Sequence, residues 1–396
     1  MEIAYVVPSL DDTTGWGRWC ADFLRHVTSI GVTPIVWAPS SLVTKCPQLE
    51  ASGTVSCNLP GLFDHLQSTR GLRSLPAIIR FMQSRMPDRQ VRLVHSLEAY
   101  PWGIYGDHLA RRYGVPHILT AHGRYGYIAA DRPLDRMVFR RVMTRAAAFV
   151  TVSEAVGNAI RSRMDVLPSS MRILAVQNAV DVADSVTAPE SDPPHQLGSP
   201  LILSVTRFVA VKDLETAVLA FEKVRARIPD ARYVIVGPGD GPHNAYHERV
   251  VRLISDRQIR GIEIIGRVPR NQLPSYYQRA SLLLHTAQTL PDDFEASGLV
   301  LLEAGLHGLP VVASASGGIP EVVSHNVTGL LVPEKDVGAT SEAILQLLRE
   351  PETARRLGDA NADRARERNW HWYMSQMSAL YSNALGGRPV SSARSS

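Results

Sequence analysis

Cysteine is scarce in this chain of 396 residues: Cys20, Cys46 and Cys57 are an odd number without metal-ligand spacing. That argues against a disulfide framework and a clustered zinc site, and points to reduced thiols in a cytosolic protein. Long apolar runs are missing as well. The longest candidate, around Leu299 to Ala315, is interrupted by Glu303, His307 and glycines, so no membrane span is expected. The opening MEIAYVVPSLDD lacks the basic n-region and cleavage site of a secretory signal. The expected location is therefore cytoplasmic. Walker-type loops, HExxH and G-x-S-x-G do not occur, and no metal site is expected. Nothing resembles a helix-turn-helix, a zinc finger or a basic platform interleaved with aromatics, so nucleic acid is not an expected partner.

What is present is a globular composition, 45% hydrophobic and 20% charged, in a chain too long for one ordinary core. The net charge of +4 is modest but unevenly placed. Between residues 66 and 145 about fourteen arginines face about five acids, an excess suited either to a solvated surface or to an anionic lipid or substrate.

Short β-like runs alternate with amphipathic segments along nearly the whole chain, the pattern of parallel sheets covered by helices on both faces. IAYVVP, PIVWAP, VRLVHSL, PHILTAH and AAFVTVS belong to a first doubly wound unit; PLILSV, RYVIVG, IEIIG, SLLLHTA, PVVASA and GLLVP belong to a second. Between them VADSVTAPESDPPHQLGSP reads as an exposed linker. The expected division is 1–185, a linker at 186–199, 200–368, a helix at 369–386 returning to the first domain, and a disordered tail at 387–396. Two such α/β units imply a cleft where ligands meet strand carboxyl ends.

The segment DDFEASGLVLLEAGLHGLPVVASASGGIPE carries the densest chemistry. Ser297 before the apolar run, a glycine at its end and a following proline predict a helix over about 298–307. Glu295 then stands just outside the helix N-terminus, whose free N–H groups favour an anion or hydroxyls. Glu303, deeper on the helix, is either a buried carboxylate paired within the protein or an acceptor for a vicinal diol. Gly317 and Gly318 before Ile319-Pro320-Glu321 form either a tight strand-to-helix turn or a close approach to a ligand. Arg207 and Lys212 follow the first strand of the second unit, with Asp213 as a candidate N-cap, and two cations there suit a diphosphate. In the first unit Gly15 and Gly17 predict a flexible loop, and His122 ends a strand. VGPGDGP is a weak match to a dinucleotide loop, because its third glycine comes too early.

Taken together these residues resemble the retaining family-4 glycosyltransferases of GT-B architecture, two Rossmann-like doubly wound α/β domains facing a central cleft. EASGLVLLE gives the family's Glu-x7-Glu motif, TRFVAVK its Arg-x4-Lys, and VTVSEAV, QNAVD, VGPGDGP and GGIPEVV follow the family's order. The resemblance implies transfer of a sugar from a nucleotide-diphosphate sugar to an acceptor hydroxyl, with retention and without metal or other cofactor. It implies that Glu303 holds the ribose diol and that Glu295, with the backbone of Ala296, Ser297, Gly298 and Leu299, holds the sugar. Arg207 and Lys212 would neutralise the diphosphate, Gly15 and Gly17 would approach it, Gly237 would line the donor site, the backbone at Val268 would meet the base, and His122 would stand near the transferred sugar. Ser153-Glu154 matches a family pattern and is given no catalytic role.

Ser297 departs from the family, which usually has an aromatic two positions after the first Glu, and Thr14-Gly15 replaces its Gly-Gly. Alternatives are a GT-B epimerase or phosphorylase and a non-catalytic sugar-binding subunit. The acceptor, whether lipid-linked, a saccharide or a small molecule, would bind the first domain. RPLDRMVFRRVMTRAAAFV places Leu134, Met137, Val138 and Val142 near one helical face and Arg136, Arg140 and Arg141 toward others. With Arg70, Arg73, Arg80 and Arg85 these arginines suit a weak peripheral contact with an anionic membrane at its inner face.

Overall fold

The computed structural model describes residues 1–10, 15–39, 55–59, 69–84, 89–164, 172–181, 199–238 and 244–386. Residues 186–198 of the expected linker, residues 239–242 of VGPGDGP, Arg85 and the tail at 387–396 lie outside them, as does the side chain of Arg70. The chain divides into two compact units, Met1–Gln177 with Trp370–Ser396, and Asn178–Asn369.

The first unit holds a parallel seven-stranded sheet in the order β3-β2-β1-β4-β5-β6-β7. Its strands are β1 (Glu2–Val6), β2 (Thr33–Pro39), β3 (Val55–Leu59), β4 (Leu93–Ser96), β5 (His117–Ala121), β6 (Ala148–Thr151) and β7 (Ile173–Ala175). The helices α1 (Gly15–His26), α2 (Thr69–Ser84), α3 (Trp102–Tyr113), α4 (Pro133–Arg145) and α5 (Glu154–Arg163) lie between strands. β4, β5 and β6 are buried at every position, so their sequences show no polar–apolar alternation, and the polar residues they do carry, among them His95 and Thr120, are buried.

The second unit holds a parallel six-stranded sheet, β10-β9-β8-β11-β12-β13. These are β8 (Leu201–Val205), β9 (Arg232–Val236), β10 (Ile262–Ile265), β11 (Leu282–His285), β12 (Val311–Ser314) and β13 (Gly329–Val332). Its helices are α6 (Leu214–Arg227), α7 (Ala245–Asp256), α8 (Leu273–Arg279), α9 (Leu299–Leu306), α10 (Ile319–Val322), α11 (Val337–Arg349) and α12 (Pro351–Glu367). Two apolar clusters pack on opposite sides of this sheet, one through Ile202, Tyr233 and Ile235, the other through Leu203, Val234 and Val236. Alternate residues of each strand thus face opposite layers, and the unit is a three-layer sandwich.

The last helix, α13 (Trp370–Ala384), belongs to the first unit. Tyr381 on it meets a buried polar chain: its hydroxyl lies 2.8 Å from His95 Nδ1 and accepts from Tyr5 at 3.2 Å, while His95 Nε2 lies 2.7 Å from Thr120 Oγ1. Polar groups this deep are tolerable because they satisfy one another.

Three expectations need correction. The first domain ends earlier than residue 185: Val180 N–H donates to Arg368 O at 3.0 Å, and Asn178 Nδ2 donates to Ser297 Oγ at 3.2 Å, which ties these residues to the second unit. On α4 the buried positions are Asp135, Phe139, Val142 and Met143, whereas Met137 is 47% exposed. Phe139 sets that face, its ring 5.6 Å from Tyr100, and Gly103 of α3 leaves room for Leu119 of β5, which a Cβ there would meet at 2.7 Å. Gly15 and Gly17 are not a loop; they are the first and third residues of α1, drawn into the helix by the apolar stripe of Trp19, Phe23 and their neighbours. Ser153, by contrast, has a plain structural task, capping α5 by accepting from Val156 N–H at 3.2 Å.

Candidate functional site

In the second sheet the strand order reverses between β8 and β11. The loops leaving the carboxyl ends of those two strands flank a topological switch point, where open α/β sheets take their ligands. Residues 206–213 form one loop, residues 286–298 the other.

The first loop is tied to the second through its backbone. Thr286 Oγ1 donates to Lys212 O at 3.3 Å and to Asp213 O at 3.0 Å, Gln288 N–H donates to Val211 O at 2.8 Å, and Gln288 Nε2 donates to Ala210 O at 2.6 Å. Asp213 stands at the N-cap of α6 with a left-handed φ of 42°, and its carboxylate accepts the Thr216 hydroxyl at 2.7 Å. At the loop's start, Gly237 approaches so closely that an added Cβ would lie 1.6 Å from Thr206 O. Only glycine fits there.

These ties deliver Lys212 to Glu295. The ammonium pairs with Glu295 Oε2, and the same oxygen lies 2.9 Å from His285 Nε2 at the end of β11. Burial alone would raise the Glu295 carboxyl's pKa, but the Lys212 charge and the His285 hydrogen bond hold it well below the usual carboxylate range. Burial lowers His285 in turn, with the Lys212 charge acting in the same direction against the pull of Glu295. Glu295 is therefore an ionised, fixed acceptor. Among the described residues its Oε1 has no protein partner.

The backbone of Glu295 is held just as firmly. Gly318 N–H donates to Glu295 O at 2.8 Å, and Gly317, with φ of 50°, passes so close that a Cβ would lie 2.2 Å from that oxygen. The Gly-Gly turn thus approaches the Glu295 main chain. The cap of α9 also differs from expectation: Gly298 occupies it with φ of 70° and no side-chain bond, while the Ser297 hydroxyl is turned to Asn178 and is only 3% exposed. Within α9, Glu303 is half-buried, and Tyr277 donates its hydroxyl to Glu303 Oε2 at 2.9 Å. The Tyr277 ring stacks on His307, centroids 5.2 Å apart. Val268 and Leu299 both pack against the apolar cluster beneath α9.

The structure thus pairs Lys212 with Glu295 and sets Gly298 and Glu303 on the helix that follows, while Arg207 is exposed. It adds His285 and Tyr277, which the sequence reading missed. Their signals were a polar residue ending the apolar run SLLLH and an aromatic pair in SYYQR.

In the first unit, His122 follows β5 with its ring against Trp19, centroids 4.2 Å apart. Burial pushes its pKa down to about 3, opposed by a hydrogen bond to the Leu97 backbone. Its Nε2 is buried without a hydrogen-bond partner among the described residues. Nearby after β4, Glu98 is 1% exposed and accepts from Ala99 N–H at 2.9 Å. Burial pushes this carboxyl up to about 8, against the backbone N–H groups of Ala99 and His122. Glu98 too escaped the sequence reading, although SLEAYP puts an acid directly after a buried strand.

Among the described residues no cluster of three His, Cys, Asp or Glu could hold a metal ion, and no helix is long and apolar enough to cross a membrane.

Residues 13–184 match Glycosyltransferase Family 4, and residues 189–364 match Glycosyl transferases group 1. The chain is 28% identical over 331 residues to the GDP-mannose-dependent alpha-(1-6)-phosphatidylinositol monomannoside mannosyltransferase of Mycolicibacterium smegmatis, covering 78% of this chain and 83% of that protein. It is 30% identical over 301 residues to the D-inositol 3-phosphate glycosyltransferase of the same organism, covering 70% of this chain and 64% of that one. Among solved structures it is similar to sucrose-phosphate synthase from Thermosynechococcus elongatus, with a TM-score of 0.78 and 20% identity over 98% of this chain and 100% of the other. HepE of Anabaena, in complex with UDP and glucose, gives a TM-score of 0.76 and 16% identity over 97% and 100%. The architecture is the GT-B fold of these neighbours.

Proposed function

From the premise that this chain is a glycosyltransferase built of a family 4 domain followed by a group 1 domain, we propose that it moves a hexosyl group from a nucleotide-diphosphate sugar to an acceptor hydroxyl, with retention of configuration and without a metal ion. The observation that carries this reading is the carboxylate Glu295, ionised and fixed by Lys212 and His285 at a switch point, with Glu303 on the helix that follows.

In this reading Glu295 Oε1 accepts a hydroxyl of the transferred sugar, and Glu303 accepts the ribose diol. Lys212 and the exposed Arg207 stabilise the charge that develops on the departing diphosphate, the task a metal ion performs elsewhere. Glu295 is committed to hydrogen bonding on one oxygen, which suits an orienting role better than that of a covalent nucleophile. The diphosphate oxygen leaving on one face of the sugar then accepts the proton of the acceptor hydroxyl entering on the same face, so the anomeric configuration is kept. The neutral His122, with an unpartnered Nε2, is an acceptor suited to a sugar hydroxyl.

Relatives named for GDP-mannose and for inositol acceptors, and a neighbour holding UDP, make GDP and UDP the first nucleotides to test and a polyol or lipid-linked hydroxyl the first acceptor class. We also infer a cytoplasmic location with weak peripheral attachment to anionic membrane, supported by the exposed Arg73, Arg80, Arg140 and Arg141 of the first unit. A thermal-shift panel of nucleoside diphosphates tests the donor site. A cognate nucleotide at a hundred times its dissociation constant stabilises by about 2.7 kcal/mol, and a panel without any shift would contradict the reading.

A further inference from the structure

His285 is 3% exposed, and its imidazole is spent on one contact that the reaction itself does not explain: the bond from Nε2 to the Glu295 oxygen that Lys212 also holds. The arrangement gives Lys212 two claimants. Lys212 pairs with Glu295, yet in the function proposed above the same ammonium must serve the diphosphate. Drawing it away leaves an ionised carboxylate, only 11% exposed, with one fewer partner. A buried charge stripped of its partner is strongly destabilised, and Glu295 would swing from the position its sugar contact requires.

We propose that His285 is the positioning residue that holds Glu295 in place while Lys212 passes from that carboxylate to the diphosphate of the donor. Three features support it. Both donors converge on Oε2, so removing one leaves the other in place and Oε1 still facing the sugar. The imidazole is carried by the last residue of a buried central strand, whose neighbours Thr286 and Gln288 grip the Lys212 loop, so both arms are mounted on one support. The charged groups that act on the ring are Glu295, on the loop before α9, and Lys212, on the loop after β8. Their opposed effects give the handover a signature: when the Lys212 charge recedes and Glu295 remains, the imidazole's proton affinity rises, and the site takes up a proton as the nucleotide binds.

This inference rests on the nucleotide-sugar reading, and the experiment separates the two. Titrate the full chain calorimetrically at pH 6 to 7 with GDP and with UDP, in buffers of different ionisation enthalpy, which gives the protons exchanged on binding. Compare wild type with His285→Asn, His285→Ala and Lys212→Ala. Any proton change on the nucleotide itself is common to wild type and the His285 variants, so their difference isolates the imidazole. Wild type should take up more protons than His285→Asn. Lys212→Ala, which keeps the imidazole but has no handover, should also lose the excess. His285→Asn can still donate to Glu295 and should keep nucleotide affinity within about tenfold, with a kcat for donor turnover well above that of His285→Ala. Equal proton uptake in wild type and His285→Asn, or wild-type kcat in His285→Ala, would overturn the proposal. A wild-type protein that binds neither nucleotide would remove the underlying reading, and this inference with it.

Discussion

The hydroxyl of Tyr277 donates to Oε2 of Glu303 at 2.9 Å, from a ring stacked on His307 at the end of the same helix. The second Glu of the Glu-x7-Glu pair is thereby oriented by protein groups. Glu303→Ala should weaken donor binding by roughly tenfold to a hundredfold, the usual worth of hydrogen bonds to a charged group. A 2′-deoxy donor should bind the parent more weakly than the ribo form does, and the variant should treat the two alike. A parent enzyme indifferent to the 2′-hydroxyl would remove the diol assignment.

Lys212 carries the heaviest electrostatic load. Lys212→Ala should lower turnover by about 10² to 10³, comparable to losing one preorganised partner of a developing charge. Arg207 is exposed and should cost less when replaced. Chelator should leave the rate unchanged, and a strict divalent-metal requirement would contradict the charge assignment.

Glu98 gives the fold a pH dependence of its own. Burial raises its carboxyl from 4.5 to about 8, so between those values the folded chain keeps a proton that the unfolded chain has lost. Stability from this group is fully present below pH 4.5, declines by about 1.4 kcal/mol per unit across the window, and is flat above it. Glu98→Gln has no such proton. Thermal melts at pH 5 and pH 8 should show a larger fall in wild type than in the variant, and parallel profiles would count against a buried neutral carboxyl.

The exposed arginines of α2 and α4 predict salt-sensitive attachment to anionic vesicles, each surface-facing Arg contributing up to about 1 kcal/mol. Co-sedimentation should favour anionic over neutral vesicles at low salt and weaken at physiological salt. Arg140→Glu with Arg141→Glu should abolish the preference. Equal recovery on both vesicle types would favour a soluble acceptor.

Much of this was legible in the sequence because parallel strands buried on both faces leave continuous apolar runs, as in SLLLH and PVVASA, and because Glu295 and Glu303 share one short segment. Relationships across the sheet were not legible. His285 reaches Glu295 from a strand, Tyr277 reaches Glu303 from a preceding helix, and neither pairing has a fixed spacing. Local rules failed where tertiary contacts outbid them. Ser297 has the composition of a cap, but Asn178 captures its hydroxyl and Gly298 takes the cap position. Gly15 and Gly17 have the composition of a loop but lead a helix whose apolar stripe is buried. Met137 has the right residue type for a core position, but Phe139 turns α4 the other way.

In the function proposed above, the Glu295 and Lys212 cluster transfers a sugar from a nucleotide diphosphate with retention. The most direct measurement follows one reaction by proton NMR, with GDP-mannose or UDP-glucose and a polyol acceptor, reading the anomeric coupling of donor and product while released nucleoside diphosphate is counted. The expected result is one nucleoside diphosphate per glycoside formed, the donor's anomeric configuration in the first product, and near-complete loss of both signals in Glu295→Gln. An inverted product, or full turnover in Glu295→Gln, would contradict it.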